Sequence, residues 1–196
     1  MIDSLNNKLI CPFTYYGIDA DIEDFKTDSN LNYEDVATFL IEQIIKVGHH
    51  ESKLKGIVFC TGKKEAIALS EELTKQGIPS KPVVSGAQSV NEDTIEDYIQ
   101  RVQNDDDTDI NLLCVVDKFN EGVDIPELNT ILMLRSTKSS IIFLQQLGRG
   151  LRLTSDEHKF VTVIDLIGNS NKNYTIAEAL TGRKTVDQDR GRPSCA

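Results

Sequence analysis

Two arginines three positions apart, Arg149 and Arg152, stand in the stretch QQLGRGLR, which begins at Gln145 and includes Gly148. Side chains at this spacing share one face of a helix. Each guanidinium is permanently charged and forked, so it can bind phosphate oxygens bidentately. Such a side chain can act as an arginine finger on a transferred phosphoryl group. Taken alone, however, the pair is better explained as an exposed basic helix end with a glycine C-cap, and only its position in the sequence favours the finger.

A second candidate site lies upstream, in the segment VDKFNEGVDIP at 116–126, which follows the apolar run LLCVV. A loop at the end of a strand with a glycine, Gly122, and a carboxylate, Asp124, can hold a sugar hydroxyl while its backbone closes around a ligand. In isolation, an ordinary turn is the better explanation of this segment. The segment therefore gains meaning only from its place in the fold.

The elements that must position these residues follow a repeated pattern of short apolar runs alternating with amphipathic helices, typical of βαβ units. The runs are nearly continuously apolar, as strands covered on both faces should be. We predict strands at 56–60, 81–85, 111–116, 130–134 and 159–165, and helices at 33–47, 63–76, 91–103 and 138–147. The fold class is thus α/β, an open and mainly parallel sheet with helices on both faces. Right-handed crossovers would bring the loops after the strands to one edge.

Outside this core, residues 1–32 show no sustained period, and we interpret them as an edge segment between lobes followed by a surface loop. The core domain is predicted to span 33–168. The remaining residues, 169–196, hold one further helix candidate at 173–181 and a polar tail that we expect to be mobile.

Composition narrows the protein class. The 196 residues carry a net charge of −10, which alone argues against nucleic-acid binding. The charge is unevenly distributed, however: residues 1–134 hold 11 basic and 25 acidic side chains, whereas 135–196 hold 10 and 6. No segment reaches the length of a membrane span and no secretion signal is evident, so we expect a cytoplasmic protein. The four cysteines form no CxxC pair, and we expect them to be reduced packing residues.

Taken in order, the segments IVFC at 57–60, VSG at 84–86, 116–126 and QQLGRGLR resemble motif IV, a following strand-end loop, motif V and motif VI of superfamily 2 helicases. The similarity is greatest to DEAD/DEAH-like helicases related to type III restriction enzyme subunits, in which a FNEGVDIP stretch is characteristic. The resemblance implies the second, C-terminal RecA-like lobe of an ATP-driven motor.

The resemblance also implies roles for individual residues. Arg149 and Arg152 match the motif VI arginines that approach the γ-phosphate of ATP held by the other lobe. Further ATP contacts would come from Gly122, Asp124, Gln145 and Gly148. Nucleic-acid contacts would come from Thr61, Gly62, Ser85, Gly86 and Lys118, where small residues with free N–H groups can approach phosphates.

The sequence departs from the family pattern at two positions and lacks the other half of a motor. Val116 stands where many relatives carry Thr, and Glu121 replaces the arginine of the DEAD-box form, which favours DNA over RNA as the partner. No Walker A loop is present, since the stretch from Gly56 to Lys64 has the wrong spacing and contains a predicted strand. ATP and Mg²⁺ would therefore be held mainly by a first RecA-like lobe elsewhere in the parent chain, and we expect this lobe alone to be inactive.

Two other interpretations remain open. One is a RecA-like module without a catalytic role that binds nucleic acid or a protein through its basic C-terminal third. The other is a doubly wound small-molecule enzyme, which would need a G-x-G-x-x-G turn after the first strand, whereas CTGKKE at 60–65 supplies one glycine. No cluster of residues predicts a metal site, and we assign the three histidines to the surface.

Overall fold

The computed structural model describes residues 11–20, 22–27, 30–49, 53–84, 92–103, 110–116, 128–134 and 159–166. Their architecture is a six-stranded, all-parallel sheet with helices packed on both faces, so the predicted α/β class is confirmed. No helix in this part of the chain is both long enough and apolar enough to cross a bilayer.

The main sheet has the order β1-β8-β7-β4-β6-β5. Its strands are β1 (Phe13–Ile18), β4 (Gly56–Phe59), β5 (Ser80–Val83), β6 (Leu112–Val115), β7 (Thr130–Met133) and β8 (Val161–Leu166). A separate antiparallel pair joins β2 (Lys26–Thr27) to β3 (Asn30–Leu31) after a 3-10 turn at Ile22–Phe25. The four inner strands are buried at every position, which explains why their sequences are apolar without alternation.

Three helices are described: α1 (Tyr33–Val47), α2 (Lys63–Lys75) and α3 (Glu92–Gln103). Asn32 caps α1 by accepting the Glu34 N–H at 3.2 Å, and Gly48 ends it with a φ of 77°, a conformation that favours glycine. Gly77, with a φ of 94°, follows α2 in the same way. Each predicted helix in the described part is therefore confirmed to within a residue or two at its ends.

The helices divide the core into two layers. On one face of the sheet, α1 and α2 bury an apolar stripe that includes Leu40 and Leu69 against Val58 and Leu132. On the other face, Val102 of α3 packs with Leu113 and neighbouring strand residues. Burial of a leucine or valine side chain contributes about 1.5–3 kcal/mol, so these two layers supply much of the stability of the fold.

Two asparagines order the amino-terminal edge of the sheet. Asn129, 1% exposed, accepts the Lys55 N–H at 3.0 Å and donates through Nδ2 to the Lys53 carbonyl at 2.7 Å. Asn111 donates to the Leu54 carbonyl at 2.9 Å. These side chains stand in for backbone partners where the ladders end, and so fix the segment that leads into β4.

The first strand differs most from the sequence-based expectation. Residues 13–18 lie within the predicted edge segment 1–32 and form a full strand of the sheet, paired in parallel with β8 from Phe13↔Val161 to Ile18↔Leu166. The sheet therefore has six strands where five were predicted. The helices predicted at 138–147 and 173–181 lie outside the described residues, and the domain boundaries stay predictions.

Candidate nucleic-acid interface

The carboxyl-terminal edge of the sheet collects the segments that carry the candidate residues. Because all six strands run in the same direction, Gly62 after β4, Val84 after β5 and Val116 after β6 leave the sheet at this one edge. The three strands are neighbours in the order β4-β6-β5, so their exits span about 10 Å. This is the edge at which open α/β sheets bind ligands.

The described residues include two of the eleven candidate site residues, Thr61 and Gly62. The others lie outside the described residues and stay predictions: Ser85, Gly86, Lys118, Gly122, Asp124, Gln145, Gly148, Arg149 and Arg152. Their attachment points are nevertheless defined. Ser85 follows the buried Val84 directly, and the segment that begins at Asp117 follows the half-buried Val116.

Thr61 lies exposed between β4 and α2, but its donors are already in use. Its N–H donates to Oε1 of Glu65 at 2.9 Å, and its hydroxyl donates to Oε2 of the same carboxyl group. The expectation of a free N–H group at Thr61 is therefore wrong for this structure, because a carboxylate at the start of α2 occupies it. Gly62 remains open, since a Cβ placed there would have no described atom within 4 Å.

The amino terminus of α2 has no side-chain cap and carries two lysines. Gly62 is its N-cap and makes no side-chain hydrogen bond to the first turn, and the next two residues, Lys63 and Lys64, are exposed. A helix amino terminus carries partial positive charge, so two lysines there oppose the usual preference for acids. Phosphate is the kind of group that backbone N–H groups and lysines in this arrangement bind.

The neighbouring helix shows the opposite pattern. The amino terminus of α1 packs against the opposite end of α2, where the Gln76 side chain donates to the Glu34 carbonyl at 3.0 Å; Asn32 caps this terminus through its side chain, and both Glu34 and Asp35 occupy the first turn. These features stabilise the helix and repel an anion. The amino terminus of α1 is therefore a poor site for an anion.

Sequence reasoning did not single out Lys63, Lys64 and Glu65, which the structure places at this turn. The lysines were considered only as part of a failed Walker loop, although their position directly after a glycine and before an amphipathic helix was a readable signal. Glu65 was not predictable in the same way, because its role depends on the geometry of the turn rather than on residue type.

Beside this turn lie two buried thiols. Cys60 directly follows β4 and Cys114 lies on the adjacent β6, both fully buried. The hydrogen bond between their side chains and burial together raise the pKa of the Cys60 thiol well above its usual value, so it stays protonated. Cys11, Cys60 and Cys114 are reduced, as predicted; Cys195 lies outside the described residues.

Metal binding has no support in the part of the chain that the structure describes, where no cluster of three or more His, Cys, Asp or Glu could hold an ion. His49 is half-buried rather than on the surface as predicted, and its Nδ1 is buried with no hydrogen-bond partner among the described residues. The other two histidines lie outside the described residues.

A buried carboxyl group also lies near this edge, on the face opposite α2. Asp165, 2% exposed, is the penultimate residue of β8 and accepts a hydrogen bond from the Tyr15 hydroxyl at 2.6 Å. Burial raises the pKa of Asp165 to about 6, against a smaller lowering by the Tyr15 hydrogen bond. Burial and the nearby carboxylate also raise the pKa of Tyr15, which remains a donor.

Comparison with known proteins agrees with this architecture. The model of the family "Helicase conserved C-terminal domain" matches residues 36–154, more than half of the chain. The chain is 27% identical over 200 aligned positions to IRC3 of Saccharomyces cerevisiae, whose name places it among ATP-dependent helicases. That alignment covers 95% of this chain and 28% of IRC3, so the chain spans less than a third of that relative's length.

Solved structures share the fold at low sequence identity. A fragment of an HsdR subunit of a type I restriction enzyme from Vibrio vulnificus YJ016 superposes with a TM-score of 0.64 at 20% identity, covering 87% of this chain and 34% of its own. The Type ISP restriction-modification enzyme LlaBIII, bound to DNA, superposes with a TM-score of 0.63 at 17% identity. The match covers 90% of this chain and 14% of the enzyme. Domain 2 of the DEAD-box helicase Mss116p, bound to an RNA duplex, superposes with a TM-score of 0.58 at 15% identity. The match covers 90% of this chain and 61% of that domain structure.

Proposed function

The chain belongs to the helicase conserved C-terminal domain family, and on this premise we propose that it is the second motor lobe of an ATP-dependent nucleic-acid helicase or translocase. The resemblance to superfamily 2 helicases related to restriction enzyme subunits and the expected RecA-like fold are both confirmed. The proposal concerns the activity of the parent protein and the part this lobe plays in it.

The observation that carries the proposal is the arrangement of the carboxyl-terminal edge. The adjacent strands β4, β6 and β5 lead into Thr61–Gly62, the 117–127 segment and Ser85–Gly86, which are the candidate contacts to nucleic acid and nucleotide. At the one such exit that is described, Gly62 and the lysine-bearing amino terminus of α2 offer a phosphate site. A track of backbone contacts without base recognition suits a motor that moves along any sequence.

In this proposal, ATP is the substrate and is bound in a cleft between two lobes. Arg149 and Arg152 stabilise the charge that develops on the γ-phosphoryl group, and Asp124 holds the ribose hydroxyl. Walker motifs with their magnesium ion belong to the partner lobe. ATP binding clamps the lobes together and hydrolysis releases them, which converts the chemical cycle into steps along a strand.

The decisive experiment joins this lobe to the first RecA-like lobe of its parent chain and measures ATP hydrolysis with and without nucleic acid. We expect Arg152→Ala to lower the stimulated rate by at least about 10³-fold. Arg101→Ala is the matched control, because Arg101 lies on the surface of α3, paired with Asp97, and should leave the rate unchanged.

Equal stimulated rates for the parent and Arg152→Ala would remove the arginine-finger role. The alternative would then be a RecA-like binding module that holds nucleic acid or a protein without contributing to hydrolysis. Retention of nucleic-acid binding by the variant, together with an unchanged rate, is the result that favours this alternative.

We propose DNA as the track. The support is the Glu121 substitution in the segment that matches motif V, together with the structural likeness to restriction enzymes, one of them bound to DNA. Binding of fluorescein-labelled DNA and RNA oligonucleotides of the same sequence to this chain tests the proposal. Tighter binding of the RNA would contradict it.

A further inference from the structure

The turn that joins β4 to α2 is held by a single buried carboxyl group. Glu65 is 4% exposed, whereas Thr61, whose N–H and hydroxyl it accepts, lies at the surface. Both oxygens of the carboxyl group thus bind the same residue. Two bonds from one rigid group fix both the backbone and the side chain of Thr61.

This arrangement differs from an ordinary capping box. In that motif the acid at the third helical position reaches back to the N–H of the N-cap residue. Glu65 occupies this third position in α2, but it reaches one residue further, past the N-cap Gly62 to Thr61. The turn is therefore stabilised while Gly62 and the first turn of the helix carry no side-chain cap.

The surroundings of Glu65 keep its side chain in place. Tyr33, at the start of α1, and Cys60, at the end of β4, lie close enough that the carboxyl group raises the pKa of each, although burial for Tyr33 and the Cys114 contact for Cys60 matter more. Ala66, the next residue, is fully buried in the core. Glu65 thus lies near the end of the sheet and the start of α1, and it accepts its hydrogen bonds from Thr61.

We propose that Glu65 is a positioning residue for nucleic-acid binding, which holds Thr61 so that Gly62 and the first amides of α2 face a backbone phosphate. The inference rests on the proposed function. It also changes the predicted contacts: Thr61 acts as the link between carboxylate and turn, while Gly62, Lys63 and Lys64 meet the phosphate. Neither Thr61 donor is needed by the ligand.

Replacing Glu65 changes nucleic-acid affinity in opposite directions, depending on whether Glu65 positions the turn or only lies near the phosphate. A carboxylate close to a phosphate repels it, so removal of a Glu65 that only lies nearby would strengthen binding. Removal of a Glu65 that holds the turn would weaken binding despite the lost repulsion. Gln keeps the acceptor for the Thr61 N–H and can donate to its hydroxyl oxygen, whereas Met fills the space but cannot accept these hydrogen bonds.

The experiment measures binding of a fluorescein-labelled oligothymidylate to Glu65→Gln and Glu65→Met over a salt titration. We expect Glu65→Met to bind at least about tenfold more weakly, with a salt slope shallower by about 0.7, the loss of one phosphate contact on a single strand. Glu65→Gln should bind at least as tightly as the parent. The exposed Glu71, on the same helix, provides the control Glu71→Gln.

The outcomes are distinct. A parent chain that binds no oligonucleotide would contradict the proposed function and the inference together. A parent that binds, with Glu65→Gln and Glu65→Met binding alike, would overturn the inference alone.

Thermal unfolding confirms that each variant is folded at the temperature of the measurement. If Glu65→Met does not fold, Thr61→Val replaces it, since Val lacks the hydroxyl donor. Thr61→Val loses one of the two hydrogen bonds, so it should weaken binding by a smaller factor than is expected for Glu65→Met. Unchanged binding would overturn the inference. Hydrogen exchange of the Thr61 amide in the parent tests the contact without any ligand, and unprotected exchange would contradict it.

Discussion

The hydroxyl of Tyr15 donates to Oδ2 of Asp165 at 2.6 Å, joining the edge strand β1 to its partner β8 across 150 positions of sequence. Asp165 is buried within the sheet, where an ionised carboxylate is costly unless it is hydrogen-bonded. The bond therefore does two things: it satisfies the carboxylate and attaches the edge strand.

The first prediction concerns pH. The pKa of Asp165 is raised from 3.8 to about 6, so the folded protein holds this proton more tightly than the unfolded chain. Ionisation of Asp165 therefore lowers the free energy of unfolding progressively as pH rises from about 4 to about 6. Above that range the whole loss is present. We expect Asp165→Asn to be more stable than the parent at pH 8 by on the order of 3 kcal/mol, and nearly equal at pH 4.

Urea unfolding at the two pH values measures this difference. The exposed Asp97, paired with Arg101, gives the control Asp97→Asn, which should alter the pH dependence by less than about 1 kcal/mol. An Asp165→Asn protein less stable than the parent at pH 8 would show that the ionised group is needed rather than tolerated.

The second prediction removes the donor. Tyr15→Phe leaves the Asp165 carboxylate without this partner, and a hydrogen bond to a charged group is worth about 1.5–3 kcal/mol. The loss of stability should be larger at pH 8 than at pH 4, because the neutral acid needs the donor less. Denaturant titrations at both pH values test this, and a pH-independent loss would assign the effect to packing of the ring alone.

The third prediction compares two glycines. A Cβ at Gly56 would lie 2.5 Å from Cδ2 of Leu112 and 3.1 Å from the Thr130 carbonyl oxygen, between two flanking strands. Gly56→Ala should therefore cost on the order of 2 kcal/mol. Gly62→Ala, with open space and an extended φ of −162°, should cost less than about 1 kcal/mol. Equal losses in thermal unfolding would mean that β4 can shift to relieve the contact.

The fourth prediction concerns the amino-terminal edge. Asn129→Leu leaves the Lys55 N–H and the Lys53 carbonyl without their side-chain partner, so we expect a loss on the order of 3 kcal/mol in urea unfolding. Asn111→Ala removes one side-chain bond, to Leu54, and should lose less. The reverse order would indicate that water replaces the Asn129 bonds.

The fifth prediction couples stability and binding at α2. Lys64→Gln removes a charge that opposes the helix dipole, so it should raise stability by about 0.3–1 kcal/mol, and Lys63→Gln removes the other lysine charge of this turn. Each should also weaken binding of a single-stranded oligonucleotide and reduce the salt slope by about 0.7. Lys75→Gln, at the other end of the helix and paired with Glu72, should lower stability slightly and leave binding unchanged. Unaltered binding in all three variants would place the phosphate contact elsewhere.

The central strands and the helices were predictable from sequence because each has a local signature. Continuous apolar runs such as GIVF identify buried parallel strands, and a cap, an amphipathic stripe and a terminal glycine together identify α1. Strand β1 has no such signature. Its side chains are half-buried or exposed without alternation, and its partner β8 comes almost 150 positions later.

The same distinction holds for the candidate site. Gly62 was predictable as an open position because small residues after a buried strand at a ligand edge follow from topology. The two hydrogen bonds from Thr61 to Glu65 were not predictable, since they depend on the backbone conformation of the turn. The Tyr15–Asp165 bond was equally hidden, because neither residue type nor spacing relates positions so distant.

The parallel pairing of β1 with β8 has a consequence for synthesis. As the chain leaves the ribosome, Phe13–Ile18 emerges before the other described strands, yet its backbone partners in β8 are the last of these strands to be translated. Strand β1, which is uncharged and rich in aromatic residues, therefore stays unpaired until β8 has been made. Pairings between such distant segments form slowly, and unpaired strand edges promote aggregation. A stalled or truncated translation product that lacks β8 would thus expose an unpaired, aggregation-prone strand. A chaperone that recognises extended apolar segments would be expected to bind it.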